Sequence, residues 1–195
     1  MVMQTAFTAL LAAVAAQRLF ELRRSRANEA VLRKKGAREH AAWQMPIMAA
    51  LHTLWLVGAA VEVWWLDPPV LPWLSGVALV IFAAGQLLRL AAMRALGERW
   101  TVRVLTLPGA PPVVDGIYRY LRHPNYAGVV LEMAALPLVG GALRTAILGS
   151  AANALLLSAR IRAEERALAA DNDYFAHFGR ATPSAEATTR SERRP

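Results

Sequence analysis

The chain has no cysteine in its 195 residues, which excludes disulfides and cysteine-ligated metals. Its four histidines, His40, His52, His123 and His177, show no metal-ligand spacing, so no metal site is expected. Acidic residues are few: 14 stand against 22 Lys and Arg, for a net charge of +8. A nucleic-acid binder would carry such an excess on one face of a soluble domain. Here it has another explanation, given below, and no nucleic-acid partner is expected. No Gly-x-Gly-x-x-Gly follows a strand, and strands do not alternate with helices, so a soluble dinucleotide-type fold is excluded. Residues 1–11 carry no positive charge, whereas a cleaved signal peptide has one before its apolar core. The first apolar run therefore reads as a retained helix. No long linker or internal repeat divides the chain, which implies a single domain over residues 1–180.

What the chain has in abundance is apolar residues in long runs. It is 56% hydrophobic, with a mean hydropathy of +0.31, too apolar for a typical soluble domain. Runs near bilayer length fall at residues 2–20, 43–66, 70–96, 126–139 and 142–159. The expected fold is all-α: a polytopic integral membrane protein with five transmembrane helices. The fourth and fifth, separated only by Gly140-Gly141, form a helical hairpin. Lys and Arg gather in the loop after the first run, the loop after the third and the tail after the fifth. The opposite loops hold only Asp67 and, near one, Arg144. By the positive-inside rule the basic segments face the cytoplasm, giving a multi-pass cell-membrane protein with its N-terminus out and C-terminus in. This asymmetry accounts for the net charge. Residues 181–195, rich in Thr, Ser, Glu and Arg, read as a disordered tail.

Polar groups converge at two cytoplasmic places. One is the stretch from Gly116 to Gly128, with Tyr118, Arg119, Arg122, His123, Pro124, Asn125 and Tyr126 at the mouth of an apolar helix. A bland reading makes His123-Pro124 a helix start, since Pro suits the first turn. The stretch nevertheless holds more hydrogen-bonding groups than a cap requires. The other place is Arg160 to Leu168, where Arg160 and Glu164 lie four apart and share a helix face. Alone, that spacing reads equally as a solvated salt bridge. As the two ends of a short hairpin, however, both places emerge at the same membrane surface. The loop from Leu107 to Pro112, with three prolines, cannot be a regular helix.

Gly116-x-Tyr118, Arg122-His123-Pro124-Asn125-Tyr126 with Gly128, and Arg160-x-x-x-Glu164-Glu165-x-x-Leu168 together resemble the isoprenylcysteine carboxyl methyltransferase family. These are integral membrane enzymes that use S-adenosylmethionine. The likeness runs over about residues 96–178. The whole chain is also similar to a bacterial branch of the family implicated in O-methylating long-chain alkylpyrones or alkylresorcinols. The resemblance implies a cytoplasmic C-terminal cofactor site made by Ala110, Pro111, Pro112, Val113, Tyr118, His123, Pro124, Asn125, Tyr126 and Glu164. It implies that Arg160 faces a lipid substrate, with Arg160 and His123 as catalytic candidates. The family's closing Tyr-x-x-Tyr-x-x-Arg-Val-Pro-like stretch is matched only loosely at residues 173–180, so no role is carried over from it.

Ionisable groups within apolar runs are costly and mark function or pairing. Glu132, about two turns from His123, reads either as a wall of the substrate cavity or as the partner of Arg89. His52 and Glu62 read as packing hydrogen bonds, and Gln86 and Asn153 as interhelix glue. A carboxylate acceptor needs no base, and an enolic pyrone needs only a nearby cation. A resorcinol hydroxyl would want a base such as His123 or Glu165. An NADPH-dependent lipid reductase is the competing enzyme, because sterol reductase-type enzymes resemble the same Arg-His-Pro-x-Tyr region. A phosphate-bearing cofactor is poorly served by the Glu164-Glu165 pair. A transporter is disfavoured by the lack of an inverted repeat.

Overall fold

The computed structural model describes residues 1–172. The tail expected at 181–195 and the loosely matching stretch 173–180 lie outside the described residues. The described residues are mostly helical, with five α-helices among them: α1 (Val2–Lys34), α2 (Gln44–Trp65), α3 (Pro72–Leu96), α4 (Pro124–Val139) and α5 (Leu143–Asn172). By length and composition α1, α2 and the segment Pro72–Arg99 are able to cross a membrane. The helix α4 is apolar but has 16 residues, about 24 Å at 1.5 Å per residue. Large apolar side chains point outward, among them Leu54 at 70%, Val80 at 71% and Leu155 at 76% exposure. Such an outward apolar surface suits lipid, in which the hydrophobic effect does not drive helices together.

The helix α1 is longer than its apolar run. Residues 21–34 are mostly strong helix formers, so nothing stops the helix where the apolar residues end. It ends at Gly36, whose φ is +88°. There Ala37 N bonds to Leu32 O and Gly36 N to Arg33 O, each at 3.0–3.1 Å, a Schellman closure. Beyond the closure lies an element the sequence reading lacks: a two-stranded antiparallel sheet of β1 (Arg38–His40) and β2 (Val104–Thr106), with Glu39 opposite Leu105. Three-residue strands are too short to show a period of two, so this pairing leaves no mark in the pattern.

The core joins Phe7, Leu11 and Val14 of α1 to Trp55, Ala59 and Val63 of α2, Ala78 and Phe82 of α3, and Val129, Met133 and Leu136 of α4. The helices α3 and α4 meet at glycines: a Cβ on Gly128 would lie 2.7 Å from Gly85 O and 2.6 Å from Arg89 Cγ. The closing Gly of the Arg-His-Pro motif is thus a packing requirement. Glu62 of α2 satisfies the start of α5, accepting from Arg144 N at 3.0 Å, Thr145 N at 2.8 Å and Thr145 Oγ1 at 2.7 Å. The two backbone N–H groups are orphan donors that a helix start otherwise leaves unpaired. Gln86 accepts from Gln17 Nε2 at 2.8 Å, an interhelix bond of the kind expected.

A buried charge cluster docks α1 on α3 and α4. Arg18 donates to Glu21 Oε2 at 2.6 Å and pairs with Glu132. Arg89 pairs with Glu21 and approaches Glu132 at 3.3 Å. Two guanidiniums meet two carboxylates, so the cluster is neutral overall, as burial in an apolar surround demands.

Candidate functional site

A cavity of about 130 Å³ opens where the ends of α1, α3 and α5, the start of α4 and the strand β2 converge. Its wall includes Ala110, Pro111, Pro112, Val113, Tyr118, His123, Tyr126, Arg160 and Glu164. The structure therefore brings nearly all of the sequence-derived site residues to one pocket. Pro124 and Asn125 are not in its wall. Pro124 is buried at the first position of α4, and Asn125 has a buried Oδ1 without a hydrogen-bond partner among the described residues. Glu132 lies away from the pocket in the charge cluster, which is the pairing alternative with Arg18 added.

The polar groups of the two motifs are interlocked. Tyr126 Oη donates to Glu164 Oε2 and accepts from Arg160 Nε at 2.9 Å. The salt bridge that the Arg160–Glu164 spacing could have formed is replaced by a tyrosine hydroxyl inserted between the two side chains. Arg160 is 4% exposed and also donates through Nη2 to Val102 O. Its Nη1 has no protein hydrogen bond among the described residues. His123 precedes α4 without capping it; its Nε2 lies 3.0 Å from Glu165 Oε1. The His123 and Tyr126 rings stack, with centroids 5.5 Å apart. His123 is thus both the residue at the helix start and half of an imidazole–carboxylate pair.

The proline loop is fixed from both sides. Arg99 Nη1 donates to Pro111 O at 2.6 Å, while Asn172 Nδ2 donates to Leu107 O at 2.8 Å and to Ala110 O. Gly109, at φ +77°, bonds through its N–H to Asp171 O at 3.0 Å. Asp171 in turn accepts from Thr106 Oγ1 and lies 3.3 Å from both Arg38 and His40. The Thr106 hydroxyl foremost, outweighing burial, and then Arg38 and His40 hold the Asp171 carboxyl below its ordinary value. At Glu39, burial alone would raise the carboxyl, but Arg33 and Arg103 outweigh it and hold it low. The Glu39 carboxylate reciprocally raises Arg103.

Sequence reasoning missed Asn172, Asp171, Arg99 and the contribution of α1. For α1 a signal existed. Positions 7, 11, 14, 18, 21, 25, 28 and 32 recur at helical spacing, and the stripe turns from apolar to polar and back to Leu32 without losing phase. Asn28 of that stripe donates to Trp100 O at 2.7 Å and Gly97 O at 3.2 Å, holding the loop after α3.

Residues 77–170 match the description "Isoprenylcysteine carboxyl methyltransferase (ICMT) family". The chain is similar to the uncharacterized protein YpbQ of Bacillus subtilis (strain 168), 38% identical over 162 residues, which cover 83% of this chain and 96% of that protein. It is also similar to an uncharacterized protein of Haemophilus influenzae (strain ATCC 51907 / DSM 11121 / KW20 / Rd), 30% identical over 80% of this chain and 91% of that protein. No solved structure matches the chain significantly. With three helices among the described residues long and apolar enough to span a bilayer, the chain is a membrane protein that belongs to the isoprenylcysteine carboxyl methyltransferase family.

Proposed function

We propose that the protein is an S-adenosylmethionine-dependent O-methyltransferase acting on a lipid that presents a carboxylate or an enol or phenol hydroxyl. The observation that carries this reading is the single pocket in which Tyr118, His123, Tyr126, Arg160, Glu164 and the 110–113 loop meet. The cofactor has a cationic centre, an adenine, ribose hydroxyls and an amino group, and so asks for acceptors and flat walls. Glu164 supplies a carboxylate, and Asn172 Oδ1 is a buried acceptor on the same wall without a partner among the described residues. Tyr118, His123 and Tyr126 supply rings. The residues fit the group.

When bound, the cofactor supplies an electrophilic methyl group on sulfur. That methyl would pass to the acceptor oxygen, so the protein's tasks are orientation and exclusion of water. Nη1 of Arg160, without a partner among the described residues, orients an anionic oxygen, while Tyr126 and Val102 O keep the guanidinium from swinging. For a phenol hydroxyl acceptor, His123 takes the proton and Glu165 steadies the imidazolium. We place all five helices across the bilayer, α4 and α5 as a hairpin, with the basic loops and the pocket on the cytoplasmic side of the cell membrane, where a soluble cofactor reaches it. The tail of the acceptor lies between helices, open to lipid.

An NADPH-dependent reductase is disfavoured by how the pocket's arginines are used. A dinucleotide phosphate needs cations able to fork around it. Of the four arginines in the wall, three already hold protein groups: Arg103 pairs with Glu39 and Glu29, Arg99 donates to Pro111 O, and Arg160 is held through Nε and Nη2 by Tyr126 and Val102 O, which leaves it one donor group rather than a fork; the fourth is Arg122. Calorimetry on the purified protein separates the two: S-adenosylmethionine should bind and NADPH should not. Membranes given labelled S-adenosylmethionine should methylate an S-prenylcysteine or a long-chain alkyl-hydroxypyrone. Tight NADPH binding without S-adenosylmethionine binding would sink the proposal.

A further inference from the structure

We propose that Ser25, on α1 and outside the stretch matched to the family, is a positioning residue that sets the direction of Arg160 through Val102. The inference rests on the reading of Arg160 as the group that faces the acceptor.

Ser25 is fully buried, at 0% exposure. A serine inside a helix commonly bonds back to the carbonyl four residues earlier. Ser25 instead sends its hydroxyl proton forward to Glu29 Oε1 at 2.7 Å. A hydroxyl has one proton and two lone pairs, so with the proton committed, Ser25 Oγ presents only lone pairs to the loop. Val102 N–H donates to it at 2.9 Å. The carbonyl of the same residue accepts from Arg160 Nη2. Val102 is thereby held on one side by α1 and holds the guanidinium on the other, with one residue's backbone as the spacer. Glu29 is itself steadied by Arg103 Nε at 3.3 Å. The series Arg103, Glu29, Ser25, Val102, Arg160 runs from one wall of the pocket to the other.

This arrangement gives the long extension of α1 a purpose. Arg160 has two fixed donors, Nε on Tyr126 Oη and Nη2 on Val102 O. A planar guanidinium held at two points has no remaining rotation, so Nη1 points where the frame sends it. The Tyr126 anchor comes from the same helical pair as Arg160. The Val102 anchor is a short irregular segment, and its N–H is tied down by Ser25. Loss of Ser25 would leave the cofactor side of the pocket intact and let Nη1 wander on the acceptor side.

The test uses the full-length protein in detergent or nanodiscs, with an N-acetyl-S-prenylcysteine and a long-chain alkyl-4-hydroxy-2-pyrone as probes. Ser25→Ala should bind S-adenosylmethionine within about twofold of wild type but lose about tenfold in acceptor kcat/KM. Ser25→Thr, which keeps the hydroxyl, should restore most of that loss. A thermal double-mutant cycle of Ser25→Ala with Arg160→Met tests the relay without any turnover. The double variant should lose less Tm than the two singles summed, because both cut one chain. Additive Tm losses, or a Ser25→Ala protein with unchanged acceptor kinetics, would overturn the relay. A wild-type protein that binds S-adenosylmethionine but methylates neither probe would count against the acceptor reading instead, and the thermal cycle would still decide the relay.

Discussion

Tyr126 places its hydroxyl between Arg160 and Glu164, donating to the carboxylate and accepting from Arg160 Nε at 2.9 Å. One side chain on α4 thus ties together two residues of α5 that stand one turn apart. The proposed function gives them different tasks, Glu164 to the cofactor and Arg160, with its second bond to Val102 O, to the acceptor.

That division predicts separable defects. Glu164→Ala should abolish binding of S-adenosylmethionine in calorimetry. Arg160→Ala should retain binding and lose turnover. Two variants that both methylate at the wild-type rate would show that the site is elsewhere.

The contact of α3 with α4 predicts a steric defect. Gly128→Ala puts a methyl group 2.7 Å from Gly85 O, backbone that cannot rotate away. Overpacking of this kind costs about 1–3 kcal/mol, visible as a lower melting temperature in detergent. Gly76→Ala is the control, since nothing lies within 4 Å of its added carbon. An undiminished melting temperature for Gly128→Ala would contradict the close approach.

The charge cluster predicts non-additivity. Arg18→Met leaves Glu132 and Glu21 sharing Arg89 alone. Removing one partner of a buried pair typically costs about 3–5 kcal/mol, whereas replacing both with apolar groups costs far less. Arg18→Met/Glu132→Leu should therefore melt higher than Arg18→Met. Thermal melts of the single and double variants read this directly.

Asp171 predicts an acid limb. Its folded-state pKa is lowered from 3.8. A depressed carboxylate contributes stability that is fully present above its unfolded value and is lost as pH falls through the lower folded value. Melting temperature and cofactor affinity should thus owe no pH dependence to this group between about pH 5 and 8. Both should drop below 3.8 as the carboxyl that grips Thr106, His40 and Arg38 is protonated. Asp171→Asn should flatten that acid limb, and an equally steep limb in the variant would assign it to other groups.

Much of the site was legible because its residues lie in two compact motifs. Tyr118, His123 and Tyr126 sit within nine positions, and Arg160 and Glu164 within one turn, so a helical pair was enough to bring them together. Glu132 shows where that reasoning stops. Its spacing from His123 fits a pocket wall as well as it fits an ion pair, and only the arrival of Arg18 from α1 determines its surroundings. Asn172 and Asp171 were not legible, because their partners Ala110, Leu107 and Thr106 lie more than sixty positions away.

By itself the sequence determined the apolar helices, the clustering of positive charge on alternate loops, the break at the proline loop and the two polar motifs. Each of these is written in composition or in spacing over a few turns. The tertiary structure decided what α1 does beyond its apolar run. It also decided the β1–β2 pairing, the insertion of Tyr126 between Arg160 and Glu164, and the link from Ser25 through Val102 to Arg160. Hydrogen bonds between distant segments depend on how helices rotate and cross, and side-chain packing at sites such as Gly85 and Gly128 fixes that rotation.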